Sequence, residues 1–330
     1  MPLASIIVPA FNVEATLAET LTSLLGQSFD DFEVLVVDDG SSDSTLEVAG
    51  QFSDDARLRV ISQPNRGLAG ARNSGIAAAQ SEYIGFCDAD DLWTPGKLAA
   101  HVEQLNAQPR VGISYSGSAL INDNSALIGQ TQRPRLAGVT CAHMFKRNPV
   151  GNGSAAVMRR KALRDIAWRP DHESERDWYF DETFRQSEDI ECWLRLMLTT
   201  DWDVRGVPGL LTRYRISSGG LSAATDRQLI AWERMVVKLQ TLDPEFFRRH
   251  TPAARAYQLR YLSRRAVQDL DADGAWEFTR AWLGSSLRPL VEEPLKSAVT
   301  LAATGTLAVF GAPPLRAARA LLSQPKRKDQ

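Results

Sequence analysis

Between residues 6 and 107, short apolar runs alternate with stretches of helical spacing, and that alternation leaves few folds open. Ile6-Ile7-Val8, Phe32–Val37, Leu58–Ile61 and Tyr83–Cys87 read as strands, and Glu14–Leu25, Thr45–Phe52, Ala69–Ala79 and Pro95–Ala107 as helices. Such a pattern builds parallel βαβ units in a doubly wound sheet. Two of the strands run into acids: Val36-Val37-Asp38-Asp39-Gly40, and Phe86-Cys87-Asp88-Ala89-Asp90-Asp91. Strands of one parallel sheet open on the same edge, where ligands of open α/β sheets sit. Carboxylates gathered there repel one another unless a cation offsets them, and a hard divalent ion with oxygen ligands is the usual solution. An acidic turn that caps the next helix is the ordinary alternative.

Beyond Val111–Tyr115 the alternation loosens. Residues 116–150 read as a ribbon and a flexible loop, and Ser154–Met158 as a short strand. Ser187–Leu198 is a clear helix, with Ile190, Trp193, Leu194 and Met197 on one face and Ser187 as its N-cap. Leu210–Ile216 closes the sheet. From Asp226 onwards the pattern is helical, for example over Leu229–Leu242 and Ala253–Leu270, so a boundary is expected at 220–226 beside Ser217-Ser218-Gly219-Gly220.

Charge is uneven along the chain. Residues 226–330 hold 17 basic and 11 acidic side chains, a net of +6, whereas residues 1–225 carry a net of −8. An acidic body argues against a nucleic-acid partner, and a basic tail permits contact with an anionic membrane. Cys87, Cys141 and Cys192 have no zinc-type spacing and point to a reducing compartment. Met1–Pro9 runs straight into a strand pattern and does not read as a signal peptide.

The chemistry expected at the sheet edge is that of a nucleoside diphosphate with a metal. Asp38-Asp39, followed by Gly40-Ser41-Ser42, can accept from the donors of a base or ribose, while Asp88 and Asp90 can hold a metal that bridges a pyrophosphate. Arg72, among the small residues of Ala69–Gly75, serves either a phosphate or a salt bridge to one of these acids. Neither a P-loop nor a dinucleotide-binding glycine motif follows the first strand.

Taken in order, Ser5-Ile6-Ile7-Val8-Pro9-Ala10-Phe11-Asn12, Val36–Asp43, Asn65-Arg66-Gly67 with Ala71-Arg72-Asn73, and Phe86–Asp91 resemble a family 2 glycosyltransferase over residues 4–215. The resemblance implies a GT-A fold: an α/β, Rossmann-like, mostly parallel nucleotide-sugar-binding sheet, here with a C-terminal helical region. It implies inverting, non-processive transfer from a nucleotide sugar, with UDP ahead of dTDP or GDP. It further implies that Pro9, Ala10, Phe11 and Glu14 line the base and ribose pocket, that Asp39 meets the base, that Asp88 and Ala89 lie at the donor, and that Asp88 and Asp90 hold Mn2+ or Mg2+. Ser187-Glu188-Asp189-Ile190 matches the family's catalytic pair, which makes Asp189 the general base and places Glu188 and Trp193 on the acceptor side. Alone, Glu188 and Asp189 would only stabilise a helix N-terminus. Many relatives carry a His after a Tyr-Arg pair, and here Ser217 follows Tyr214-Arg215-Ile216. The Gln-x-x-Arg-Trp motif and membrane spans of processive synthases are missing from the sequence.

The expected organisation is therefore a catalytic domain over 1–225 (donor side 1–115, acceptor side 116–225) and a helical region over 226–330. The acceptor is a glycan or a lipid-linked saccharide, and the compartment is the cytoplasm. Residues 297–315 carry no charge but are diluted by Thr, Ser, Gly and Pro, and Lys326-Arg327-Lys328 follows. They read either as a peripheral contact with the inner face of the membrane or as a soluble appendage or homodimer contact. Competing readings are a nucleotidyltransferase, which would want a basic glycine-rich loop after the first strand, an Asp-nucleophile phosphatase built on Asp88, and a degenerate glycan-binding protein. His101, His143, His172 and His250 show no ligand spacing.

Overall fold

The structure, a computed structural model, describes residues 1–216 and 225–323. The chain opens with β1 (Ala4–Ala10), α1 (Leu17–Leu25), β2 (Phe32–Asp38), α2 (Thr45–Gly50), β3 (Leu58–Ser62), α3 (Gly67–Ala78) and β4 (Tyr83–Phe86). The four strands pair in parallel in the order β3-β2-β1-β4. Every residue of β1 is buried, which is why the run is apolar without alternation. In α1, Leu17, Leu21 and Leu24 bury one stripe. The helix begins three residues later than expected, because residues 14–16 form a turn.

Small residues bring α3 close to the sheet. A Cβ on Gly75 would lie 2.4 Å from Ile7 Cγ2, so only glycine admits this approach to β1. The helix opens on Gly67 at φ +78°, a left-handed geometry that other residues adopt at a cost.

After β4 come β5 (Leu92–Trp93), α4 (Lys97–Ala107), β6 (Val111–Ile121), β7 (Leu127–Gln132), α5 (Cys141–Arg147), a 3-10 turn at Gly153–Ala155, β8 (Ala156–Arg159), α6 (Arg160–Asp165), α7 (Glu188–Thr199) and β9 (Asp203–Arg215). The sheet continues β4-β8-β6-β9-β5 with β7 beside β6. Strand β8 runs antiparallel to both neighbours, whereas β6 and β9 are parallel. The ribbon expected within 116–150 is the β6–β7 pair, and the loop after it contains α5. The helix α6 and the two-residue β5 were not expected.

Met1–Met144 and the chain from Asn148 through β9 form one compact unit, and Phe145–Arg147 with the C-terminal helices form a second. In the second unit, α8 (Thr225–Leu239), α9 (Pro244–Asp269), α10 (Ala272–Ser285), α11 (Arg288–Glu292), α12 (Pro294–Phe310) and α13 (Ala312–Ser323) follow one another. Leu259, Leu262, Phe278, Trp282 and Leu307 fill its core. Ser217-Ser218-Gly219-Gly220, where the boundary was expected, and Lys326-Arg327-Lys328 lie outside the described residues.

Candidate active site

Strand β1 separates the two acidic strand ends, pairing Ala10 with Asp38 on one side and Ile7 with Phe86 on the other, so both open at the carboxyl edge. Asp39 is 3% exposed. Its Oδ1 accepts from Gln63 Nε2 at 2.6 Å and the Arg66 N–H at 2.8 Å, and its Oδ2 from the Gly67 N–H at 2.7 Å. It therefore anchors the start of α3, and about one of a carboxylate's four acceptor positions is left for a ligand.

The first loop is laced to the loop after β2. Glu14 accepts from the Ser44 N–H at 2.8 Å, and Asn12 Oδ1 from the Ser42 N–H at 2.8 Å. Phe11 is 49% exposed and Glu14 is also exposed, so both side chains face solvent at this rim. Pro9 and Ala10 are buried at the carboxyl end of β1, so what they can offer a pocket there is backbone.

The three acids after β4 divide into two kinds. Asp91 is fully buried, accepting from the Arg215 N–H at 2.8 Å and from Ser154 Oγ at 2.5 Å, and burial pushes its carboxyl well up. It is part of the scaffold. Asp88 and Asp90 stay partly exposed. Burial, and then the neighbouring Asp88 charge, push Asp90 up to about 6 while Arg215 pulls it down. Ala89 is buried, and its carbonyl accepts from Thr16 and Thr20 of α1, both at 2.9 Å, which fixes the turn between Asp88 and Asp90.

Two partly exposed carboxylates that repel each other suit a hard cation. Among the described residues there is no cluster of three or more His, Cys, Asp or Glu that could cage one. That pair fits an ion of the magnesium type, which takes one or two carboxylates and completes its shell with substrate phosphates and water.

Arg72 joins the two halves of the edge. It is 2% exposed, and its Nη2 donates to Asp88 Oδ1 and its Nη1 to Glu188 Oε1, both at 2.8 Å. Two of its five N–H groups make this double bridge and its buried Nε has no partner, so the salt bridge is the role the geometry shows, and burial of the side chain disfavours a phosphate contact. Glu188, 5% exposed, is the other end of that bridge and does not face an acceptor. Trp193 is fully buried, edge-on to Phe180 at 5.7 Å, and is core, not a sugar platform. Ser187 precedes α7 at φ 64° without a side-chain cap, a further correction.

Asp189 is half-buried, and its Oδ1 accepts from the Ile190 N–H at 2.7 Å. Burial first and the Glu188 charge second push its carboxyl up to about 7, with Arg72 holding it down. A carboxylate poised there exchanges protons near neutral pH.

Residues for which the sequence suggested no role of their own hold this geometry. Arg215 donates its Nε to the Asp90 carbonyl at 2.8 Å and its Nη1 to the Asn122 and Asp123 carbonyls. Asn73 donates to the Phe180 carbonyl and to Glu182, and accepts from the Tyr179 and Phe180 N–H groups. Arg66 pairs with Glu173 and Glu182, tying the segment before α7 to the start of α3. The run Ala71-Arg72-Asn73 was the sequence signal for Asn73; its partners lie more than 100 residues away.

Residues 5–167 match the family model described as Glycosyl transferase family 2. Through this region the chain belongs to that family. The glycosyltransferase is 27% identical over 227 residues to the UDP-Glc:alpha-D-GlcNAc-diphosphoundecaprenol beta-1,3-glucosyltransferase WfgD of Escherichia coli, covering 69% of this chain and 82% of that one. It is 51% identical over 92 residues to the uncharacterized glycosyltransferase EpsJ of Bacillus subtilis, 28% of this chain and 27% of the other. Among solved structures, S. aureus TarS in complex with UDP-GlcNAc superposes with a TM-score of 0.60 at 20% identity, over 92% of this chain and 90% of that one. The mannosyltransferase PcManGT from Pyrobaculum calidifontis, in complex with GDP-Man and Mn2+, gives 0.57 at 19% identity over 94% and 87%. These likenesses establish the GT-A fold of this glycosyltransferase.

Proposed function

We propose that this glycosyltransferase moves one sugar from a UDP-sugar to a lipid-linked saccharide with inversion, and that Asp189 is its general base. What carries the reading is the place of Asp189 in the first turn of α7, next to Glu188, which Arg72 ties to Asp88 at the sheet edge; burial and the Glu188 charge raise its carboxyl. In a single displacement the acceptor hydroxyl attacks the anomeric carbon from the face opposite the diphosphate and loses its proton to Asp189. Asp88 and Asp90 would hold a divalent ion that neutralises the leaving diphosphate when bound. Phe11, Glu14 and the remaining acceptor position of Asp39 form the nucleoside end. Residues 1–115 serve the donor and 116–225 the acceptor. The acceptor class follows that in the name of WfgD, an alpha-D-GlcNAc-diphosphoundecaprenol.

Turnover of UDP-sugars with a prenyl-diphosphate-linked GlcNAc acceptor tests this directly. Transfer by the wild type, lost in Asp189→Asn while UDP binding is kept, is the expected result. Undiminished transfer by Asp189→Asn removes the base assignment.

A further inference from the structure

Helix α12 is amphipathic the wrong way round for a member of a bundle. The face it turns inward holds Ser297, Thr300, Thr304 and Leu307. Ser297 accepts from Arg260 and donates to the Pro289 carbonyl, and the Thr304 hydroxyl lies 3.2 Å from that of Thr279 and 3.3 Å from that of Ser263. The opposite face is apolar and faces solvent: Leu295 is 76% exposed, Val299 61%, Val309 73% and Phe310 68%, with Ala298 and Ala302 exposed between them. The helix is thus anchored in its own unit by hydroxyls together with Leu301 and Leu307, and its exposed apolar stripe, about 25 Å long at 1.5 Å per residue, is left outside.

The charge beside that stripe says what covers it. At the start of α12 two carboxylates, Glu292 and Glu293, are met by five cations: Lys146, Arg147, Arg260, Arg288 and Lys296. The excess is positive and reaches solvent through Arg288 and Lys296, whose side chains are 68% and 64% exposed. Burial first, and then the neighbouring Arg147 charge, lowers Arg260 to about 10, and burial followed by the Arg147 and Arg260 charges pulls Lys296 down as well. Anions relieve such crowding, whereas a second copy of the same helix would bring more cations to it. Among the described residues no helix is long and apolar enough to cross a membrane.

We propose that α12 is an interfacial anchor: its apolar face enters the headgroup boundary of an anionic bilayer while Arg288 and Lys296 take lipid phosphates. The inference is independent of the sugar chemistry.

Flotation of the full chain with vesicles of phosphatidylcholine alone, or with 30% (~) phosphatidylglycerol, tests it. The wild type should float with the anionic vesicles, weakly with the neutral ones, and less as salt is raised. Leu295→Glu/Val299→Glu should lower anionic-vesicle binding at least about tenfold, and Arg288→Ala/Lys296→Ala should erase the lipid-charge preference. Ile230→Glu, at an exposed apolar position on α8, should change nothing. Unchanged thermal melting keeps the comparison between folded proteins. Binding by Leu295→Glu/Val299→Glu equal to wild type overturns the proposal, and so does a wild type that ignores both vesicles. A vesicle-free dimer that Leu295→Glu/Val299→Glu splits assigns the face to a second copy and overturns it as well.

Discussion

Arg72 of α3 donates to Glu188, the first residue of α7, across 116 residues of chain, and the same guanidinium holds Asp88 at the end of β4. One buried cation thus sets the distance between the acid proposed for the metal and the helix that carries the proposed base.

Removing that cation strands two carboxylates. Arg72→Met should destabilise the protein by about 3–5 kcal/mol, the range for breaking a buried pair from one side, read as a lower urea midpoint. Without Arg72 the carboxyl of Asp189 loses the charge that holds it down, so the acid limb of the activity profile should move to higher pH. Arg72→Lys keeps a charge but lacks the fork that spans both acids, and should recover only part of either property.

The pH profile of transfer follows from the same carboxyl. The active form of the base is the carboxylate, so the rate should rise with pH and level off above about 7. Below that point it should fall about tenfold per pH unit, as expected for a single essential base. Asp189→Asn should reduce the chemical step by about 10²–10⁴ and flatten this limb, measured in single turnovers.

Stability should run the other way. The Asp189 carboxyl rises from 3.8 in the unfolded chain to about 7 in the folded one, so between these values the native state binds more protons. Its contribution is complete below pH 3.8 and is lost as pH climbs through 7. At pH 8 Asp189→Asn should therefore be more stable than wild type, by about 2–4 kcal/mol at 1.36 kcal/mol per pKa unit. Denaturant midpoints that coincide at pH 8 would contradict the raised carboxyl.

Helix α3 must sit close to β1 for Arg72 to reach both acids. Gly75→Val places new atoms against Ile7 and should cost about 1–3 kcal/mol as an overpacked contact, with loss of activity beyond the stability effect. Gly96→Ala, where a Cβ meets nothing within 4 Å, is the neutral control.

The strand ends were legible because a buried parallel strand writes an unbroken apolar run and the acids that follow it have no other place than the sheet edge. The family followed from four motifs in order, and the structure and relatives bear it out. What could not be read was which acids pair. Asp88, Asp90 and Asp91 look alike in sequence, yet Asp91 is consumed by Ser154 and Arg215, partners 63 and 124 residues away. Trp193 drew attention as an aromatic beside acids, although the apolar spacing of Ile190, Trp193 and Leu194 already pointed it inward. Arg72 stayed ambiguous until Glu188 was seen beside it. Short β5 carries only Leu92 and Trp93, too few residues for a period to show.

The central claim is that the Asp88–Asp90 pair serves the donor through a metal while Asp189 serves the acceptor. Calorimetric titration of UDP with and without Mn2+ into wild type, Asp90→Asn and Asp189→Asn separates the two roles. The account predicts metal-dependent binding in wild type, the same affinity in Asp189→Asn, and at least about tenfold weaker, metal-indifferent binding in Asp90→Asn, as for a lost ion ligand. Equal losses in both variants, or UDP binding that ignores Mn2+ in the wild type, would contradict it.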